Sequence, residues 1–414
     1  MLSRRTMLAS ASALAAIGCG HLKSLYSDPN VIKETELTWA SRQFVGLGNP
    51  NQVMATLAAD EEIPDSPQQA RYRLTVRNLE QAPRRDDLDA WRNLGADLLT
   101  VSVEEARSLG EMGVLHPLDR FGDANDSALN AVFFPGVLNQ FRAQGALYAL
   151  PVSALPVMLY YDRAYFAQRG VPPVDSGWDW DNLAENAAKL TNRGQDGEVR
   201  RWGLLAHSKL WWALWQNNAD VVDPAALQCR LQESAAIEAL QFVWDLLHTM
   251  QVSPRAHGMD LNKVTPPPAM VYDNPPLRPS LGSYGLAQIP QGKTQAVPVR
   301  AGVGLAVAAG TQSPETAYTA LKGLAHAIQR HASVPATREG IERLGEFQPG
   351  LRSDEVQAIQ RSMAAEREMP RLPQGKPELY AMEAIVEGLV RGDNVSTVVN
   401  QACSVLREHQ QSSG

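Results

Sequence analysis

The 414-residue chain has little of what several protein classes require. It holds three cysteines, Cys19, Cys229 and Cys403, too few for a disulfide scaffold. No stretch reaches the roughly 18 apolar residues of a membrane-spanning helix. Basic residues form no long block, and 38 Lys and Arg face 45 Asp and Glu, a formal charge of −7. Nucleic-acid binding needs clustered cations against phosphate, so no nucleic-acid partner is expected. No internal repeat or low-complexity linker divides the chain. Catalytic signatures are missing too: there is no G-x-S-x-G elbow, no H-E-x-x-H and no Walker loop. Gly302-Val303-Gly304 lacks the third glycine of a dinucleotide fingerprint. His326 and His331 stand five apart on an expected helix, point to different sides, and read as surface residues and not as joint metal ligands. No enzyme activity, metal or cofactor is therefore expected.

What is present is an ordinary globular composition, 44% hydrophobic and 20% charged, in a length that predicts two or three domains at roughly 150 residues each. The first twenty residues read as an address. Arg4 and Arg5 supply a positive start, and Met7 to Ile17 is apolar but too short to span a bilayer. Ser3-Arg4-Arg5-Thr6-Met7-Leu8 resembles a twin-arginine export signal, with Met where Phe is usual. Paired arginine also occurs in ordinary export signals, so the route stays open. Ala16-Ile17-Gly18-Cys19 resembles a bacterial lipobox, with small residues before a cysteine that would carry lipid. The expectation is a signal peptide over 1–18, Cys19 as the lipidated first residue, and a polar tether over 19–35. Cys229 and Cys403 remain; they could pair in an oxidising envelope, but both lie in helix-like context and read at least as readily as two unpaired buried thiols.

Strand and helix signals alternate, which predicts an α/β fold. Strands are expected at Glu36 to Trp39, Tyr72 to Val76, Ala96 to Val101 and Gly302 to Ala309, with a proline-broken extended run from Leu147 to Tyr161. A helix from Glu233 to Met250 places Ile237, Leu240, Val243 and Leu247 on one face. Ser313-Pro314-Glu315 opens another, Pro377 opens a third, and Asn394 or Ser396 caps the last. Thr265 to Ser280 carries six prolines and reads as an irregular or extended segment.

The order of several short motifs carries a resemblance. Gly145-Ala146-Leu147-Tyr148-Ala149-Leu150-Pro151, then Leu159-Tyr160-Tyr161-Asp162-Arg163, Phe166, Gly170, Pro172-Pro173 and Trp180-Asp181-Asn182-Leu183 form its strongest piece. Around it stand Ala96-Asp97-Leu98-Leu99, Gly113 to Asp119, Ala269-Met270, Gly302 to Ala308 with Ser313 to Ala317, and Val334-Pro335-Ala336-Thr337-Arg338. From about Leu37 to Glu408 the chain resembles the extracellular solute-binding proteins that serve carbohydrate ABC importers, the maltose-binding-protein-like family 1, in lipoprotein form. That resemblance implies a two-lobed periplasmic-binding-protein-like fold of type II, with ligand held in a central cleft that closes by hinge motion. It implies three interlobe crossings, near Ser153 to Met158, Arg300 to Gly302 and Pro335 to Arg338. One lobe would comprise 36–153 plus 302–336, the other 154–301 plus 337–414. The partners implied are a small carbohydrate, the permease of an ABC importer, and the membrane through lipid on Cys19, with the protein itself a monomer.

Sugars bind by aromatic stacking on their C–H faces and by paired hydrogen bonds to their hydroxyls. The resemblance places candidate contacts at Trp39, Ser41 and Arg42 after the first strand, and at Ser102 and Glu104 after the third. Further candidates are Tyr161, His207, Trp211, Trp212, Tyr272, Asp273, Arg300, Arg338 and Tyr380. At least one of Trp211 and Trp212 is expected to be a stacking platform, with Trp215 in the core. The charged residues at strand ends read equally as solvated surface, and Arg300 and Arg338 as hinge ion pairs. Tyr272-Asp273-Asn274-Pro275-Pro276 departs from the family pattern, as do Asn218-Ala219 and Leu155. These departures argue against a maltose-type ligand. An envelope sensor or scaffold without an importer is the alternative reading, and a secreted carbohydrate-active enzyme a more distant one.

Overall fold

The computed structural model describes residues 34–43, 47–60, 63–84, 86–122, 126–207, 209–223, 226, 228–256, 264–275, 283–368 and 377–411. Residues 1–33, on which the expected signal peptide, Cys19 and most of the expected tether fall, lie outside the described residues.

Two sheets organise the chain. The first has five strands in the order Tyr72–Asn78, Thr35–Ser41, Leu98–Ser102, Val303–Val307 and Leu150–Pro151. Its first three strands are parallel, and Val303–Val307 runs antiparallel to both of its neighbours. The apolar runs at Leu98 and Val303 sit in the middle, where both faces are covered, and Val303–Val307 is buried throughout. Tyr72–Asn78 takes the edge, with Tyr72 and Leu74 inward and polar residues outward. Asp97 staples the layer together: its carboxylate accepts the Thr38 N–H at 2.8 Å and the Thr311 hydroxyl at 2.6 Å. The helix Pro314–Gln329, opened by proline at its first turn, buries its apolar face against this sheet.

The second sheet has four strands in the order Leu204–Leu205, Met270–Asp273, Met158–Tyr161 and Gly285–Ala287. The first two are parallel and the others antiparallel. A third, three-stranded sheet joins Glu366–Glu368, Val297–Ala301 and Ala154–Pro156. The chain therefore leaves the first sheet at Pro151, runs through Ala154–Pro156, and enters the second at Met158. It returns through Val297–Ala301 directly into Val303–Val307. Gly302 sits at that return because a Cβ there would collide with the Ser153 hydroxyl. A third segment runs alongside, with Ser153 bridged to Pro335 and Phe133 to Thr337. Buried Gln329 ties these segments, donating to the Pro151 carbonyl at 3.2 Å and accepting the Ala336 N–H at 2.7 Å.

Several local expectations shift. The buried face of the helix Ser234–His248 carries Ala236, Leu240, Val243 and Leu247, and Ile237 is exposed. Asn394, not Ser396, caps the helix Val395–Gln411, accepting the Thr397 N–H at 2.9 Å. Cys229 stands on an isolated bridge to Val222 and not in a helix, and it is disulfide-bonded to Cys403 across a sequence separation of 174. The two histidines read as surface residues are half-buried, and His331 shares a 2.7 Å hydrogen bond with the Thr56 hydroxyl. Burial lowers the pKa of both rings.

Candidate functional site

Open α/β sheets bind ligands outside the carboxyl ends of their parallel strands, where loops and helix starts converge. In the first sheet those ends include Ser41 and Ser102, and Ser102 lies in register with Val303, the residue just past the Gly302 return. In the second sheet the parallel pair ends at Leu205, leading into 206–210, and at Asp273. Asp273 lies in register with Met158, just past Ala154–Pro156. The carboxyl ends of both sheets thus adjoin the crossing strands. A cavity of about 510 Å³, bordered by Trp91, Asp97, Gly113 and Gly310, lies at the opposite, amino end of the first sheet.

On the first rim, one guanidinium nitrogen of Arg42 donates to both carboxylate oxygens of Glu105 at 2.7 Å. Glu105 also accepts the Ser102 N–H at 2.8 Å, while the Ser102 hydroxyl accepts the Glu105 N–H at 3.2 Å. This reciprocal box starts the helix Val103–Glu111. Ser102 therefore serves its helix as a cap, with its hydroxyl oxygen accepting there. Arg42 keeps a partly exposed side chain, and Glu104 is half-buried in the same first turn.

On the second rim, Lys209 holds a left-handed backbone conformation, φ +54°. Its ammonium lies 3.4 Å from a carboxylate oxygen of Asp273, with the side chains 35% and 8% exposed. The next residue, Asn274, donates its side-chain amide to the carbonyls of Leu155 and Pro156 at 2.8 and 2.9 Å. This fixes the end of the Met270–Asp273 strand to the crossing strand. His207 is buried, with its ring Nε2 at 3.0 Å from the Ala256 carbonyl.

The aromatic candidates divide differently from the sequence reading. Trp39 is fully buried, donating its indole N–H to the Thr100 hydroxyl at 2.8 Å, and Ser41 is fully buried beside it. Trp212 is likewise sealed, stacked on Tyr272 at 4.6 Å and edge-on to Trp180 at 5.5 Å. Tyr161 lies within the second sheet against Phe166. Burial raises the pKa of the Tyr161 and Tyr272 phenols. Trp39, Ser41, Tyr161, Trp212 and Tyr272 thus have no surface through which to meet a ligand in this conformation. They pack the lobes instead, because each is enclosed by elements far away in sequence. Trp211 retains slight exposure and packs on Trp215, the residue one turn later, with ring centres 5.3 Å apart. Trp215 is in the core, where its indole N–H donates to Asp220 at 2.8 Å.

The remaining candidates are accessible. Arg300 is exposed on the crossing strand, in register with Leu155. Arg338 is exposed, with its guanidinium 4.9 Å above the Phe134 ring. Tyr380 is 46% exposed near the start of the helix Pro377–Arg391. The structure therefore brings Arg42 and Glu104 to one rim and Asp273, with Lys209, to the other, and it puts Arg300 on the strand between the sheets. Lys209 was not singled out from sequence. A lone lysine between His207 and Trp211 carries no pattern, and its partner comes from another strand. Among the described residues no cluster of three or more His, Cys, Asp or Glu is placed to hold a metal ion. Nor is any helix there long and apolar enough to cross a membrane.

Residues 92–325 match the model of a family described as bacterial extracellular solute-binding protein. A mannitol-binding protein of Pseudomonas aeruginosa is 34% identical over 116 residues, which span 28% of this chain and 25% of that protein. Among solved structures, a cyclic alpha-maltosyl-1,6-maltose binding protein from Arthrobacter globiformis superposes with a TM-score of 0.68. It is 17% identical, and the match covers 90% of this chain and 98% of that one. An ABC substrate-binding protein from Listeria monocytogenes, in complex with cycloalternan, gives 0.66 at 16% identity, covering 92% and 100%. These structures share the two-lobed fold, and the proteins compared are binding proteins, not enzymes. The match over more than half its length places this chain in the bacterial extracellular solute-binding protein family.

Proposed function

We propose that the chain is an exported, lipid-anchored receptor that captures a small solute, a sugar or polyol, by closing its two lobes and delivers it to an ABC importer. The observation that carries this reading is the placement of both rims, Arg42–Glu105 and Lys209–Asp273, at strand ends that adjoin the crossing strands. A small rotation about those strands would bring the rims toward one another over a solute. The lobes would comprise 36–153 with 302–336, and 154–301 with 337–414. The relative that binds mannitol supports a polyol or small sugar, and the departures at Leu155 and Asn274 argue against a maltose-type ligand. The Cys229–Cys403 disulfide suits an oxidising compartment outside the cytoplasm. Lipid on Cys19 would hold the receptor at the membrane as a monomer, within reach of the permease.

A ligand that binds only the folded state stabilises it by about 2.7 kcal/mol at a hundredfold excess over its dissociation constant. A thermal-shift screen against sugars and polyols, followed by calorimetry, is therefore the test. A saturable shift without chemical change of the solute is expected. Silence across sugars and polyols would remove the ligand assignment. Membrane fractionation of Cys19→Ala tests the anchor, and release into the soluble fraction is expected.

A further inference from the structure

The two rims share a property that the family assignment does not supply: each presents a cation already matched by a carboxylate. Arg42 is held by Glu105 on one side, and Lys209 faces Asp273 on the other. The two pairs differ in tightness. Arg42–Glu105 is closed at 2.7 Å and is built into a helix cap. Lys209–Asp273 stands at 3.4 Å, looser than the 2.7–2.9 Å typical of a charge-assisted hydrogen bond.

The looser pair is held in place from both sides. Lys209 adopts a left-handed backbone that side-chain-bearing residues rarely take, an outlier that persists where surrounding structure enforces it. Asp273 Oδ1, the oxygen that faces Lys209, also accepts the Asn274 N–H at 2.9 Å, and the Asn274 side-chain amide spans two carbonyls of the crossing strand. Lys209 is about a third exposed and Asp273 nearly buried, so the lysine carries most of the pair's accessible surface. An ammonium offers donors and a carboxylate offers acceptors. Adjacent hydroxyls of a polyol can satisfy both at once, one accepting from Lys209 and the next donating to Asp273. An anionic group would gain Lys209 but would meet the desolvated Asp273 carboxylate, a like charge in a poorly screened place.

We propose that Lys209 and Asp273 are the ligand-selecting pair of this receptor, a charge-balanced couple that takes adjacent hydroxyls of a neutral polyol or sugar and excludes the anionic counterpart. This rests on the sugar-or-polyol reading above and names its chemical class at one position. The competing charge is Arg300, exposed on the crossing strand between the sheets. Recognition led by Arg300 would favour anions instead.

The test uses the purified full chain and calorimetric titration with two matched probe sets. The neutral set is mannitol, sorbitol and glucose. The anionic set is mannitol 1-phosphate, glucose 6-phosphate and glucuronate. Wild type is expected to bind a neutral probe at least tenfold more tightly than its anionic partner. Asp273→Asn keeps the shape but removes the charge, and it should narrow that ratio at least tenfold by admitting the anionic probe. Lys209→Met should weaken the neutral probe about tenfold in a chain that still folds, with a lower melting temperature because the nearly buried Asp273 loses its cation. Wild-type preference for the anionic set would overturn the selecting pair while leaving solute capture standing. Neutral binding that both variants leave within twofold of wild type would overturn it as well. Binding of no probe in either set would overturn the sugar-or-polyol reading itself, and the pair with it.

Discussion

Glu366 offers a measurable pH dependence that follows from its position. It lies on the strand Glu366–Glu368, in parallel register with Val297 of the crossing strand. One carboxylate oxygen accepts the Gly136 N–H at 3.0 Å, across a sequence separation of 230. The other oxygen is sealed from solvent with no hydrogen-bond partner among the described groups. Burial, with a smaller contribution from Glu368, pushes its pKa up from the ordinary 4.5 to about 7, against the Gly136 N–H and the nearby charge of Arg338. The folded state therefore holds this proton more tightly than the unfolded state does. Its stabilising effect is complete below about pH 4.5 and is lost as pH rises through about 7. At ~1.4 kcal/mol per pH unit, the loss amounts to roughly 3 kcal/mol once the group is fully ionised. Glu366→Gln keeps the shape and removes the titration. Urea unfolding of both proteins between pH 5 and pH 8.5 is the assay. The variant should gain on wild type by roughly 3 kcal/mol across that range. Stability curves that run parallel with pH would refute the assignment of a raised pKa to this carboxyl.

The other predictions concern single contacts. Replacing Cys229 and Cys403 by serine opens a link spanning 174 residues and should cost about 3–5 kcal/mol, read as a lower denaturation midpoint. An unchanged midpoint would mean the bond does not constrain the unfolded chain. Trp212→Ala removes a fully buried ring from between Tyr272 and Trp180, and about 3–5 kcal/mol of stability should be lost. Tyr380→Ala, at an exposed position, should stay within about 0.5 kcal/mol in the same unfolding assay. Equal losses for the two would contradict the burial that separates them. Asn274→Ala leaves the Leu155 and Pro156 carbonyls without its amide and should cost about 1–3 kcal/mol. A variant as stable as wild type would show that Asn274 does not tie strand to crossing.

The sequence by itself determined the local order of this protein. Period-two and continuous apolar runs marked the strands at Leu37, Leu74, Leu98 and Val303. Pro314 and Pro377 marked helix starts, and the motif order from Gly145 to Leu183 pointed to the two-lobed solute-binding family. Such signals act over a few residues, where steric preference, capping and side-chain period decide the outcome. Tertiary structure alone decided which face each chemically conspicuous residue presents. Trp39 and Trp212 resemble binding platforms as isolated aromatics, yet Thr100, Tyr272 and Trp180 enclose them. Ser102 resembles a strand-end ligand, yet Glu105 draws it into a cap. Lys209 meets Asp273, Cys229 meets Cys403, and Glu366 meets Gly136 only after distant segments pack. Burial, charge pairing and a carboxyl's proton affinity depend on neighbours in space. Those neighbours exist only once the two sheets and the strands between them are assembled.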